Sequence, residues 1–195
     1  MVYCCILRPY LVTKTTMRKI KLNSQAIAIT LSFAVATLGG QSIQAQNNLV
    51  SLTQAKCINS GIGSFRQTPV DVAIAKAVYN SPFYLGAGSR SAAVTCKIRR
   101  DENKPLFQTL RLGFGMRDNN TTSPPVAVNF YVDSNKAETK TIAPGQKELV
   151  LLDVSKATNV TIEAVCSTQT RYCDRVYFFD TLLQPLPPVA TTPKK

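Results

Sequence analysis

Apolar and polar residues alternate strictly in four segments of the chain. These are TLRLGFGMR (109–117), VAVNFYVD (126–133), NVTIEAVC (159–166) and RVYFFDTLL (175–183). Side chains of a β-strand point to opposite faces in turn, so a period of two places the apolar residues of each segment on one buried face. The four segments therefore predict half-buried strands of an antiparallel sheet.

Further strands and turns surround these four segments. SRSAAVTCKI (89–98) and KELVLLDVS (147–155) predict two more strands, and for PVDVAIAKAVY (69–79), which fits a strand and a helical face equally, we favour a strand. Residues 46–56 predict a turn of helix or an irregular arm. Turn-forming residues fill RRDENKP, DNNTTSPP, DSNK, APGQ and SKATN. Seven or eight strands without intervening helices predict an all-β antiparallel fold, either a β-sandwich or a jelly roll.

The N-terminal part has the order of a secretory signal. From Met17 a basic segment precedes a largely apolar stretch of 13 residues (26–38) and a short segment that ends at Ala45. An uncleaved anchor is the alternative, but 13 residues are too few to cross a bilayer as a helix. We therefore predict that residues 17–45 are a signal peptide and that 1–16 precede the true start. A single exported domain, periplasmic or extracellular, would span 46–185, with a proline-rich disordered tail at 186–195.

Four cysteines remain in the predicted domain: Cys57, Cys96, Cys166 and Cys173. An even number in an exported chain indicates two disulfides, for which three pairings are possible. The short spacing of Cys166 and Cys173 favours a local bridge across the neck of a hairpin and leaves Cys57 for Cys96. A zinc or redox site is the alternative, but it usually needs CxxC spacing, which is absent.

Charge narrows the class of partner. The chain has 23 basic and 11 acidic residues. Five of the basic ones lie in 1–45, so the predicted domain has 18 basic residues, 11 acidic ones and a net charge of about +7. Outside the cytoplasm such a charge suits anionic polysaccharide or a phosphate-rich envelope surface better than nucleic acid. The run KIRRDENK (97–104) is either a charge-compensated turn or a patch for acidic glycans.

The composition excludes several catalytic mechanisms. The chain has no histidine, which rules out Ser-His-Asp and Cys-His nucleophiles and every His-ligated metal. A glycosidase would need two facing carboxylates, for which Asp118 and Asp174 are the candidates, although aspartates at strand–loop junctions are usually turn formers. A calcium ion at Asp118 lacks the spacing of a calcium loop. We predict no enzyme activity, no metal and no cofactor.

The C-terminal two-thirds of the predicted domain resembles a known family. LFQTLRLGFGMRDNN, VAVNFYVDSNK with the following PG and DVS, and DRVYFFDTLLQP are similar to the novel putative carbohydrate-binding module (NPCBM), over residues 88–185. The matching positions are Gly115 to Asp118, Val128 to Asp133, Pro144-Gly145, Asp153 to Ser155 and Phe178 to Asp180. The resemblance implies a galactose-binding-like jelly roll and glycan binding.

Sugars stack on aromatic faces and are oriented by a few polar groups, and the loops at one end of a sandwich commonly carry such sites. We therefore predict a non-catalytic glycan-binding module. Its candidate ligand-binding residues lie in predicted loops: Tyr84, Arg117, Asp118, Asn119, Arg171 and Tyr172. Phe178 is assigned to the core. The rival hypothesis is a structural or protein-interaction sandwich of the cell envelope that binds no glycan.

Overall fold

The computed structural model describes residues 49–99 and 107–185. The predicted signal peptide (17–45), the upstream segment (1–16), the proline-rich tail (186–195) and residues 100–104 of the KIRRDENK run lie outside these ranges. Among the described residues, no helix has the length and apolarity needed to span a membrane.

The described residues form strands and one short 3-10 turn, Leu52–Gln54. The strands are β1 (Val50–Ser51), β2 (Lys56–Asn59), β3 (Ser64–Arg66), β4 (Val70–Ile74), β5 (Ala77–Ser81), β6 (Phe83–Gly86), β7 (Ser91–Lys97), β8 (Phe107–Met116), β9 (Val126–Val132), β10 (Asn135–Ile142), β11 (Lys147–Asp153), β12 (Asn159–Cys166) and β13 (Val176–Pro185). The all-β prediction is confirmed.

Two antiparallel sheets face each other. The first has the order β11-β8-β13-β6-β3, and β1 also pairs with β13, beyond the part of β13 that β6 covers. The second has the order β10-β9-β12-β7-β2. The four alternating segments of the sequence are β8, β9, β12 and β13, which occupy interior positions of the two sheets.

The inward faces of the two sheets form one hydrophobic core. Leu110, Leu112, Phe114 and Met116 of β8 are fully buried, as their alternation predicts. Phe178 lies at the centre: its ring stacks on Phe83 with centroids 4.7 Å apart and contacts Phe114 at 5.6 Å. Its assignment to the core is therefore confirmed.

Both predicted disulfides are present, Cys57–Cys96 and Cys166–Cys173. The hairpin predicted around the second one is wrong. Cys166 ends β12 in the second sheet, and β13, which follows the loop, belongs to the first sheet. The loop 167–175 thus crosses between sheets. The disulfide that joins facing residues of neighbouring strands is Cys57–Cys96, between β2 and β7.

Segment 69–79 forms most of a two-stranded hairpin, β4–β5, rather than a single strand. This hairpin packs on the outer face of the first sheet, where Val72 and Ile74 bury Tyr177. Gly115 allows the close approach, because a Cβ there would lie 2.7 Å from Cγ2 of Ile74. Phe179 of β13 also stacks on Tyr79 of the hairpin, with ring centroids 4.2 Å apart. The first sheet therefore has apolar contacts on both faces. The contacts on its outer face hold the hairpin beside the loops at one end of the sandwich.

Alternation did not reveal every strand. β10 is polar along most of its length, and it begins at Asn135, inside the predicted turn DSNK, so that turn is shorter than predicted. Only Asp133 and Ser134 have positive φ there, 45° and 72°. β2, β3 and β6 have three or four residues each, too few to establish a period.

Candidate functional site

Four connections meet at one end of the sandwich, which we call the loop end. They are residues 87–90, 117–125, 143–146 and 167–175. Backbone hydrogen bonds join them: Cys173 N donates to Gly88 O at 2.8 Å, and Gly145 N donates to Met116 O at 3.1 Å. Arg171 also donates from its guanidinium to the carbonyl oxygen of Thr122. The loops thus form one connected surface over the core.

A cleft of about 280 Å³ opens where the β4–β5 hairpin meets the loop end. Three of the predicted ligand-binding residues line it side by side: Arg117, Asp118 and Asn119. The opposite wall is strand β4 with its polar residue Asp71, and the floor includes Arg175 and the buried Tyr177. The cleft combines guanidinium donors, amide and carboxylate groups and an aromatic edge.

Asp118 connects the hairpin to the loop end. Its Oδ1 accepts from Ala75 N at 2.8 Å, and its Oδ2 accepts from Lys76 N at 2.9 Å. Ala75 and Lys76 have φ of 51° and 63°, the left-handed conformation that a two-residue turn requires and that Asn-Gly adopts most readily. The carboxylate thus stabilises a turn whose own residues disfavour it, and one side of Asp118 is committed to the backbone.

We expect Asp118→Ala to lower the free energy of unfolding by about 1–2 kcal/mol, because two turn amides lose a charged acceptor. The same substitution in an Ala75→Asn, Lys76→Gly background should cost less, since Asn-Gly forms this turn without help. Urea unfolding of the four proteins gives both losses. Equal losses in the two backgrounds would show that Asp118 does not act through the turn.

Asp174 is buried and forms hydrogen bonds that hold the loop 117–125 in place. Its Oδ2 accepts from Arg117 Nε at 2.5 Å and from Asn120 Nδ2 at 3.2 Å, and its Oδ1 accepts from Arg175 N at 2.8 Å. Its own N–H donates to Ser123 Oγ at 2.8 Å. The side chain of Arg117 is 34% exposed, whereas that of Asp174 is 5% exposed. This bond to Asp174 raises the pKa of the Arg117 guanidinium above its usual value.

Arg175 reaches the cleft from the first residue before β13. Its guanidinium carbon lies 4.8 Å from the centroid of the Tyr84 ring, within cation–π distance. A hydrogen bond with the Tyr177 side chain raises the pKa of Arg175. Two aromatic rings therefore hold an exposed cation at the floor of the cleft.

Tyr84 is not the loop residue that the sequence predicts. It lies in β6, opposite Tyr177 of β13, and is half-buried beneath Arg175. The two tyrosine rings are 5.6 Å apart. Tyr84 supports the cleft through Arg175, and it is absent from the residues that line the cleft.

Arg171 and Tyr172 lie in the loop that Cys166–Cys173 closes. Tyr172 is 70% exposed, and its ring lies over Gly88, where an added Cβ would be 3.5 Å from Cε2 of the ring. A second hollow, of about 380 Å³, opens between this loop and the turn before β7, lined by Ser89, Arg90 and Gln169. The disulfide and the Arg171–Thr122 bond hold the exposed ring at the rim of the loop end.

The structure thus groups Arg117, Asp118 and Asn119 in one cleft. It places Arg171 and Tyr172 on the neighbouring loop, which the Cys166–Cys173 disulfide closes. Asp71, Arg175 and Tyr177 line the same cleft but were absent from the predicted set. One signal in the sequence pointed to them: Tyr177 and Phe179 are aromatic on the face opposite Val176 and Phe178. A strand that is apolar on both faces is expected to be covered on both.

The two candidate catalytic carboxylates are both engaged. Asp118 accepts two turn amides and Asp174 accepts from three donors, which favours structural roles for both. Within residues 49–99 and 107–185, no three His, Cys, Asp or Glu side chains are grouped so that they could hold a metal ion.

The sequence matches no model of a known protein family and no curated protein. Solved structures are similar in fold. One holds the M60 catalytic domain with the CBM51-1 and CBM51-2 domains of Clostridium perfringens ZmpB (TM-score 0.56, 13% identity, 71% of this chain, 15% of that chain). Another is CBM51-2 of the same protein with GlcNAc (0.56, 12%, 72% and 32%). A third is the CBM51 of C. perfringens GH95 with methyl-galactose (0.51, 12%, 69% and 99%).

These similarities show a fold shared with carbohydrate-binding modules. This chain spans less than a third of the length of the two ZmpB chains, and nearly the whole of the GH95 module. At 12–13% identity the match concerns the course of the backbone and leaves the ligand of this chain to be argued from its own residues.

Proposed function

We propose that the protein is an exported, non-catalytic module that binds a glycan at the loop end, and that the bound sugar carries a carboxylate. Two observations carry the proposal: the cleft at the β4–β5 hairpin, and the exposed Tyr172 on the loop 167–175, whose last residue, Arg175, lines that cleft. Hydroxyl groups of a sugar need donors and acceptors together, and Arg117, Asn119 and Asp71 offer both within the cleft. The apolar face of a sugar ring needs an aromatic surface, and Tyr172 offers one.

The cleft itself holds both signs of charge, since Asp71 and Asp118 line it with Arg117 and Arg175. The support for an anionic ligand comes from the four loop-end connections together, which have a net charge of +2 from four arginines (90, 117, 171 and 175) and two aspartates (118 and 174). Asp174 is committed to Arg117, and Asp118 to the amides of the hairpin turn. Among the described residues, by contrast, Arg90, Arg171 and Arg175 form no ion pair with a carboxylate. A guanidinium with unused donors binds a carboxylate in a fork geometry. Arg175 at the floor of the cleft is the residue that we assign to this contact.

Two further observations fit the proposal. C. perfringens modules of the same fold were solved with methyl-galactose and with GlcNAc, both sugars. The two disulfides fit an oxidising compartment outside the cytoplasm, where glycans of the cell surface and matrix are found.

The proposal is tested by affinity electrophoresis in gels that contain polygalacturonate, with fully methyl-esterified polygalacturonate as the matched neutral polymer. We expect the acidic polymer to retard the protein more strongly than the ester. Retardation by neither polymer, together with an absence of binding on an array of acidic and neutral glycans, would overturn the proposed function.

Tyr172→Ala should weaken binding to the retarding polymer about tenfold, because the sugar ring loses its stacking surface. Tyr172→Phe keeps the aromatic ring and should stay within about twofold of the unsubstituted protein. Isothermal titration with a defined oligomer of the same polymer measures both. Equal losses in the two variants would indicate that the phenolic hydroxyl, rather than the ring face, contacts the glycan.

Arg175→Gln should abolish the preference for the acidic polymer and weaken binding to the esterified one much less, since it removes the charge but keeps a side-chain amide beside Tyr84 and Tyr177. Lys97→Gln removes one positive charge at the other end of the sandwich and serves as the control for net charge. If both variants lowered retardation equally, the attraction would come from the overall charge and not from the cleft.

A further inference from the structure

The free edges of the two sheets differ in how they are protected. An edge strand exposes unpaired backbone groups, and proteins protect such edges with short strands, bulges or charges. β3 has three residues, and β2 has four and is bound to β7 by a disulfide. β10 has a register shift between Lys136 and Glu138 and carries a Glu138–Lys140 ion pair. Three edges are therefore protected.

β11 is the edge strand that is neither short nor bulged nor bound by a disulfide, and its charged residues, Lys147, Glu148 and Asp153, lie only toward its two ends. It has seven residues, and its pairing with β8 runs without a register shift from Lys147 to Asp153. Val150 and Leu152 point into the core, so the alternate residues Leu149 and Leu151 lie on the outer face, where they are 52% and 60% exposed. A long, straight edge with exposed leucines is a template for pairing with another strand.

The sequence of β11, KELVLLD, complements itself when paired antiparallel about Val150. In that register Lys147 lies opposite Asp153 of the second copy, and Leu149 lies opposite Leu151 of the second copy. The two-fold axis repeats both pairs, so the outer face gains two opposite-charge pairs and two leucine pairs. On the inner faces Val150 lies opposite Val150 of the second copy, and Glu148 lies opposite Leu152 on each side of it.

We propose that the protein forms a two-fold symmetric dimer in which β11 pairs with β11 of a second copy, joining the first sheets into one continuous sheet. A second copy is favoured over an unrelated partner because the charges at the two ends of the strand match each other in this symmetric register. An unrelated strand would need a complementary pattern of its own.

The dimer has a geometric consequence. β11 begins at the loop end and runs away from it, so an antiparallel partner has its loop end at the opposite end of the joined sheet. If the loop end binds a glycan, as proposed above, the dimer links two glycan chains and does not place two sites on one chain. The dimer itself does not depend on that function.

The test is sedimentation velocity of the unsubstituted protein over a range of concentrations, with no glycan present. We expect a concentration-dependent dimer, and we expect Leu149→Lys/Leu151→Lys to raise its dissociation constant at least tenfold. Ile58→Lys, at a residue that is 58% exposed on β2 of the second sheet, adds a lysine away from β11 and should leave the dimer intact. Circular dichroism checks that each variant is folded.

Exchange of the charges at Lys147 and Asp153 distinguishes pairing in this register from nonspecific association through the exposed leucines. Lys147→Asp and Asp153→Lys should each weaken the dimer, because like charges then face each other, and the two together should restore it. Lys147 also donates to the Tyr79 hydroxyl at 2.5 Å, so recovery in the double variant separates the interface effect from a local one. A monomer at all concentrations, a dimer unaffected by the leucine changes, or a double variant that is not restored would overturn the proposal. Loss of glycan binding with an intact dimer would count against the proposed function alone.

Discussion

Asp174→Ala is expected to lower the free energy of unfolding by about 2–3 kcal/mol and to abolish glycan binding. The substitution removes the acceptor for Arg117, Asn120 and the Arg175 amide at a residue that is 4% exposed. Removal of one partner of a buried ion pair costs about 3–5 kcal/mol, and the one-third exposure of Arg117 reduces that figure. Binding is lost because the loop 117–125 and Arg175 lose their common support.

A double-mutant cycle measures how strongly Arg117 and Asp174 are coupled in the free energy of unfolding. Arg117→Met in the Asp174→Ala background removes the uncompensated guanidinium, so the double variant should be more stable than Asp174→Ala alone. Urea unfolding measures stability, and affinity electrophoresis measures binding. If the double variant were less stable by the sum of the two single losses, the pair would not be coupled and the assignment of Asp174 as the organiser of the loop would be wrong.

Removal of Cys57–Cys96, by Cys57→Ser with Cys96→Ser, is expected to lower the free energy of unfolding by about 4 kcal/mol. The bridge closes a loop with a sequence separation of 39, and a longer closed loop restrains the unfolded chain more strongly. Removal of Cys166–Cys173, with a separation of seven, should cost only about 2.5 kcal/mol.

The effects of the two disulfides on glycan binding should have the opposite order to their effects on stability. Cys57–Cys96 joins two strands and makes no contact with the cleft residues, whereas Cys166–Cys173 closes the loop that carries Tyr172. At a temperature where both variants are folded, only the loss of Cys166–Cys173 should weaken glycan binding. A weaker effect on stability from the longer loop would contradict this prediction.

The parts of the fold that the sequence predicts are the ones that local physics controls. β8, β9, β12 and β13 each lie with one face in the core, so their residues alternate, and alternation is visible in a single segment. The disulfide pairing also follows from spacing. β10 was missed because an edge strand in water needs no apolar face, and β2, β3 and β6 are too short to show a period.

The candidate site was predicted in part for the same reason. Arg117, Asp118 and Asn119 follow a recognisable strand and necessarily lie in one loop. Asp71 and Arg175 are distant from that loop in sequence and reach it only through the packing of the β4–β5 hairpin on the outer face. The sequence predicts Asp118 as a ligand-binding residue, and only the packing of the hairpin reveals that its carboxylate also accepts from the turn amides of Ala75 and Lys76.

Residue types and their spacing alone determined the all-β class, the two covalent links and the absence of histidine chemistry, because these depend on local pattern and composition. Tertiary structure decided which strands are neighbours and that the loop closed by Cys166–Cys173 crosses between sheets. It also decided that the β4–β5 hairpin covers the outer face of the first sheet and forms one wall of the cleft. Contacts between segments far apart along the chain depend on shape and burial in three dimensions, and no single segment of the sequence contains that information.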